Sequence, residues 1–115
     1  MKNRIYIKDL KENVGKEVII AGWVDVRRDQ GKMVFFDMRD MTGKVQGVIL
    51  PSYKEVIEKA KLIRLEWVLK ITGKVNKRPE KNVKAGVMNG DIELEITGIE
   101  VLAPAEPLPF DMSES

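Results

Sequence analysis

Hydrophobic and polar residues alternate along several stretches of this chain with a period of two, the signature of half-buried strands. From Glu17 to Arg28, Val18, Ile20, Gly22, Val24 and Val26 fall on one face, and Ile19, Ala21, Trp23, Asp25 and Arg27 on the other. A turn is predicted at Asp29, Gln30 and Gly31. Met33 to Asp40 alternates again, with Val34, Phe36 and Met38 on one side and Met33, Phe35, Asp37 and Arg39 on the other, so the two phenylalanines face opposite ways. Met41-Thr42-Gly43-Lys44 predicts a hairpin turn with Gly43 in the left-handed conformation. After it, Val45, Gly47 and Ile49 oppose Gln46 and Val48. Trp67 to Val75 and Asp91 to Val101 complete the pattern, the last with Ile92, Leu94 and Ile96 inward and Glu93 and Glu95 outward.

The period turns helical in two places. Ile7 to Val14 reads as a short helical turn, with Leu10 and Val14 spaced four apart and Gly15 ending it at positive φ. Pro51 stops the third strand, Ser52 and Glu55 match a capping box, and Val56, Ile57, Ala60 and Ile63 follow at helical spacing. Gly22, inside a strand, predicts a bend or bulge. Asn76 to Gly90 reads as a basic loop carrying Lys77, Arg78, Lys81 and Lys84. Three strands, a helix and two strands, preceded by a helical turn, predict an all-β fold: a five-stranded Greek-key barrel of the OB type, its helix between strands three and four. Residues 1–103 form that domain on this reading, and the proline-rich 104–115 a linker toward a further domain.

Composition narrows the chemistry. The 115 residues suffice for one core without staples. Cysteine and histidine are both absent, which removes disulfides, thiolate metal sites, cysteine nucleophiles and the commonest general base. An independent enzyme is therefore a weak reading, and neither a catalytic residue nor a metal ligand is assigned. Net charge is only +2, from 20 basic and 18 acidic residues, so phosphate binding must rest on local clusters. The N-terminus does not pattern as a signal peptide and no run approaches membrane-spanning length, so a soluble cytoplasmic protein with no membrane partner is expected.

The outward face carries the candidate site. A ring at Phe35 stays exposed to water, at a free-energy cost, unless a partner covers it, and an unpaired base stacked there supplies one. Packing beneath the 76–90 loop or a neighbouring domain is the competing explanation. Gln46 shares that face and offers a donor and an acceptor to a base edge. Arg27, Arg28 and Arg78 suit phosphates or base edges, and Lys77 and Lys81 suit phosphates; each also fits a solvated surface. Glu93 can accept from the two Watson–Crick donors of guanine, or pair across strands with Lys70 or Lys74. Asp40 reads as a turn residue and Asp37 as structural. A single-stranded nucleic-acid platform results, with a sequence-indifferent single-strand binder and a protein-interaction module as alternatives.

As a joint pattern, GWVDVRRDQGKMVFFDMRD, TGKVQ, ITGKVNKRPEKN and NGDIELEITGIEVLAPAEPLPF resemble the N-terminal anticodon-binding domain of aspartyl-tRNA synthetase, a class II aminoacyl-tRNA ligase, across nearly the whole chain. The synthetases for asparagine and lysine share the fold but match less well in the Arg27-Arg28-Asp29 turn and at the exit. The resemblance implies that Phe35 stacks on the central uridine of the anticodon and Gln46 hydrogen-bonds it. It implies that Glu93 reads the first base, guanine or queuosine, and that Arg28, Arg78 and Asn82 hold the third base and the local backbone. Val26 and Asn76 stand where the family often carries further arginines. It also implies tRNA as the partner, no cofactor for this chain, and a homodimeric parent that couples aspartate to tRNA with ATP and magnesium. The isolated domain is expected to be a monomer without chemistry of its own.

Overall fold

The computed structural model describes residues 4–103. Its strands are β1 (Glu17–Gln30), β2 (Met33–Asp40), β3 (Gly43–Ile49), β4 (Val68–Lys77) and β5 (Ile92–Ala103), with one α-helix, α1 (Lys54–Leu62), between β3 and β4. They close into a barrel in the order β1-β2-β3-β5-β4, with β4 returning to β1. All neighbours are antiparallel except β3 and β5, a short parallel seam pairing Gly47 with Leu94 and Val48 with Glu95. The predicted OB-fold is the fold observed. The 104–115 segment, read from sequence as a linker, lies outside the described residues.

Alternation builds the core as expected: Val18, Ile20, Val24, Val34, Phe36, Met38, Leu69, Ile71, Ile92, Leu94 and Ile96 point inward and are buried. A 3-10 helix, Ile7–Asn13, closes part of the core with Ile7 and Leu10, and Gly15 ends that segment at φ +86°. Helix α1 adds Val56 and Ala60, with Ile63 just beyond its end. No helix among the described residues is long and apolar enough to cross a membrane.

Four local expectations are corrected. First, β1 runs through Asp29 and Gln30, and its hairpin turn is the two residues Gly31 and Lys32, with Gly31 at φ +61°. A two-residue link favours such a residue because its twist matches that of the strands. Second, Gly43 is absent from the residues at positive φ; it begins β3 opposite Asp40, where an added Cβ would meet the side chain of Met88. Third, Ser52 does not cap α1: the capping position is Tyr53, with no side-chain cap bond, because a turn closed by Tyr53 N–H to the Leu50 carbonyl places Ser52 one residue too early. Fourth, Val26 is not inward.

That last difference follows from a β-bulge. The β1–β2 register shifts between Val24 and Val26, so Val24 faces Met38 while Val26 faces Asp37. One inserted residue reverses the parity of all that follows. Val26 becomes exposed at 37%, Arg28 joins the outer face opposite Phe35, and Arg27 falls opposite the core residue Phe36. The predicted distortion is thus real, but it lies just beyond Gly22. That glycine has its own role: a Cβ there would collide with the Arg39 carbonyl, at the point where β1 leaves β4 and takes up β2.

Candidate nucleic-acid interface

Two rows of side chains cross the outer face of the barrel. In the first, Phe35 of β2 stands between Arg28 of β1 and Val48 of β3. In the second, Asp37 of β2 stands between Val26 and Gln46. The parallel β3–β5 seam brings Gln46 beside Glu93, whose partner on β4 is Asn76. The two positions where further arginines were noted as missing, Val26 and Asn76, thus end the row that contains Gln46.

Hydrogen bonds knit these rows together. Arg28 Nη2 donates to Gln46 Oε1 at 3.0 Å, and Gln46 Nε2 donates to Glu93 Oε2 at 2.8 Å. The same guanidinium pairs with Asp37 Oδ1 at 3.4 Å, and its Cζ lies 5.9 Å from the centroid of the Phe35 ring, within cation–π range. Glu93 therefore has its partner in Gln46, not in Lys70 or Lys74; Lys70 pairs with Glu100 and Lys74 faces Glu95. Glu95 accepts from the Tyr53 hydroxyl at 2.9 Å and from Asn76 Nδ2 at 3.0 Å. The Glu95 hydrogen bond and its negative charge raise the Tyr53 pKa above the usual tyrosine value.

Phe35, Gln46 and Glu93 wall a groove of about 470 Å³ whose far side is the 78–84 segment, with Arg78, Lys81, Asn82 and Lys84. That volume is in the range of small-molecule clefts, roughly 300–1,000 Å³. Phe35 is half-buried and borders the groove together with the loop. A smaller groove of about 210 Å³ continues past Gln46 and takes in Arg28, Asp37, Lys44 and Met88. Arg78 braces the loop: its Nε donates to the Ile92 carbonyl at 2.9 Å and its Nη1 to the Asn82 carbonyl at 3.4 Å. Asn82 sits in a 3-10 turn, Glu80–Asn82, and Lys77 is exposed at the end of β4.

The structure thus brings together Arg28, Phe35, Gln46, Arg78, Lys81, Asn82 and Glu93. Arg27 stands apart. Its Nη1 donates to the carbonyls of Ala60 at 2.9 Å and Ile63 at 2.8 Å, and its Nε pairs with Asp29 at 3.2 Å. Sequence reasoning missed Lys84 as a wall of both grooves, Asp37 as a partner of Arg28, and Asn89. Asn89 is buried at φ +54° and donates from Nδ2 to the Lys44 carbonyl at 2.8 Å, clipping the loop to the start of β3. An Asn-Gly pair at the end of a basic loop was the available signal.

A closed five-stranded barrel with a ring, an amide and a basic loop on one face defines a class, and comparison with known sequences agrees. A family model described as an OB-fold nucleic acid binding domain, of the tRNA anticodon type, matches residues 18–102, and the chain belongs to that family. More particularly, the chain is 44% identical over 105 residues to the aspartate–tRNA(Asp/Asn) ligase of Corynebacterium glutamicum, covering 91% of this chain and 17% of that protein. It is 43% identical over 117 residues to the enzyme of the same name from Natranaerobius thermophilus, covering all of this chain and 20% of that one. Among solved structures, the aspartyl-tRNA synthetase of Entamoeba histolytica superposes with a TM-score of 0.81 at 28% identity, over 94% of this chain and 23% of that chain. The chain spans about a fifth of the length of the curated relatives it matches.

Proposed function

We propose that this chain reads the anticodon loop of aspartate tRNA. Phe35 stacks on the central uridine and Gln46 hydrogen-bonds its edge; Glu93 accepts from the first base; Arg28, Arg78 and Asn82 hold the third base and the adjoining backbone, with Lys77, Lys81 and Lys84 as phosphate contacts. The observation that carries the reading is the joint placement of the half-buried Phe35 ring, the Gln46 amide and the 78–84 loop around one groove. Stacking gives affinity on any base, whereas amide and carboxylate partners give choice among bases. The whole protein attaches aspartate to tRNA using ATP and magnesium, and works as a homodimer; none of the residues argued here is assigned to hold either cofactor.

The test is titration of the chain with the anticodon stem-loop of aspartate tRNA, beside a loop whose central uridine is cytidine. The uridine loop binds more tightly, Phe35→Ala weakens both, and Glu93→Gln acts mainly through the first base. Equal binding of all loops, governed by salt alone, would make the chain a general single-strand binder.

A further inference from the structure

We infer that Arg28 and Glu93 lock the side-chain amide of Gln46 in one of its two flips, and that this lock makes the site choose uridine over cytidine. The inference rests on the anticodon reading above.

A guanidinium has only donors and an ionised carboxylate only acceptors. With Arg28 Nη2 at 3.0 Å on one side and Glu93 Oε2 at 2.8 Å on the other, the amide oxygen must face Arg28 and the nitrogen Glu93. The turned-over amide would set N–H against N–H and oxygen against oxygen. The orientation is therefore dictated by the chemistry of the neighbours. Arg28 is itself placed by Asp37 Oδ1 and by the Phe35 ring. An amide has two N–H bonds and two carbonyl lone pairs, so one of each remains for a ligand.

The free pair has a fixed sense. Uracil presents a ring N–H beside a carbonyl oxygen: the N–H donates to Gln46 Oε1 while the carbonyl accepts from Nε2. Cytosine in the same pose presents an unprotonated ring nitrogen to Oε1 and an amino group to Nε2, a mismatch at both atoms. A glutamine free to turn over would accept cytosine by flipping. Arg28 and Glu93 withhold that option, whatever else they contact on neighbouring bases.

The test uses two anticodon hairpins differing only at the central base. The unmodified chain prefers uridine by roughly tenfold to a hundredfold, as expected for one bidentate pair. In the double variant Arg28→Gln with Glu93→Gln, either partner can donate or accept, so the amide is free and most of the preference disappears. In the exchange Arg28→Glu with Glu93→Arg, the amide turns over and cytidine becomes the preferred base. Independently of RNA, the Gln46 side-chain amide protons of the ¹⁵N-labelled chain exchange more slowly than in the double Gln variant. No preference in the unmodified chain would sink the anticodon reading itself. A uridine preference that survives unchanged in the double Gln variant, with both hairpins weakened equally, would leave that reading standing and overturn the lock. Equal amide exchange in the two proteins would overturn it as well.

Discussion

The guanidinium of Arg27 donates to the backbone carbonyl of Ala60, in the last turn of α1, at 2.9 Å and thereby helps close the C-terminal end of that helix. The last carbonyls of a helix have no partner within it and carry its negative pole, so a cation placed there satisfies both needs. Its neighbour Arg28, one residue along the same strand, lies on the opposite face against Phe35 and Gln46. Strand alternation separates the two adjacent arginines, and the bulge at Val24–Val26 decides which of them joins Phe35 on the outer face. Arg27→Ala is expected to lower stability by about 1–3 kcal/mol, from lost charged hydrogen bonds, while RNA affinity in the folded protein stays unchanged. Arg28→Ala is expected to do the reverse. Urea unfolding and hairpin titration on the same two proteins separate the outcomes, and a loss of affinity confined to Arg27→Ala would contradict the assignment.

Asp40 ties the β2–β3 turn to the N-terminal 3-10 helix. Its Oδ1 accepts from Thr42 N–H, the Thr42 hydroxyl and Gly43 N–H, and its Oδ2 from Ile7 N–H at 2.9 Å. Desolvation pushes its pKa up, but the hydrogen bonds, that of the Thr42 hydroxyl foremost, outweigh it, and the pKa lies below the ordinary 3.8. A carboxylate with a depressed folded pKa stabilises above its unfolded pKa, and that stability is lost as pH falls through the folded value. Asp40→Asn is therefore expected to be less stable than the parent at neutral pH, by about 1–3 kcal/mol, with the gap narrowing below pH 3.8. Thermal unfolding across that acid range measures the gap; one that widens there would reverse the sign of the argument.

Much of this was legible in the residues because alternation is a local property. Phe35, Gln46 and Glu93 each point outward by the count of two, and the barrel then gathers them. The bulge was not legible in detail, since it is a relation between β1 and β2, and Gly22 marks only the neighbourhood. Faces before it were read correctly; those after it, at Val26 and Arg27, were reversed. The capping box at Ser52 failed for a similar reason: a local motif gave way to the Leu50–Tyr53 turn and to the bond from Tyr53 to Glu95. The chain from Arg28 through Gln46 to Glu93 spans residues far apart in sequence, so only the closed barrel reveals it.

Asn89 shows the same dependence on long-range contact. It is buried, takes positive φ, and reaches the Lys44 carbonyl from within the loop that leads into β5. Asn89→Ala loses the hydrogen bond and strains the backbone; Asn89→Gly loses only the bond. The expected costs are about 1–3 kcal/mol for the bond in both variants, with the further backbone cost only in alanine. Amide hydrogen exchange of residues 78–90 should speed up in both variants, because the clip is lost in both. Faster exchange in the alanine variant alone would show that strain, and not the clip, governs the loop.

Phe35 and Phe36 are adjacent residues of one strand with opposite expected consequences. Phe36 is fully buried in the barrel, so Phe36→Ala leaves a cavity and is expected to cost about 3–5 kcal/mol of stability. Phe35 is half-buried on the groove, and Phe35→Ala is expected to leave the core intact while weakening hairpin binding by about 1–3 kcal/mol, the worth of one stacked base. A ring carries no charge, so the slope of log affinity against log salt should be the same with and without it. Lys81→Ala should behave the other way, weakening all hairpins alike and reducing that slope by about 1, the contribution of a single phosphate contact. Titrations at several salt concentrations distinguish the two terms. If Phe35→Ala changed the slope and left the affinity of a base-substituted hairpin untouched, the ring would be organising the basic loop instead of stacking, and the groove would have to be read as a purely electrostatic site.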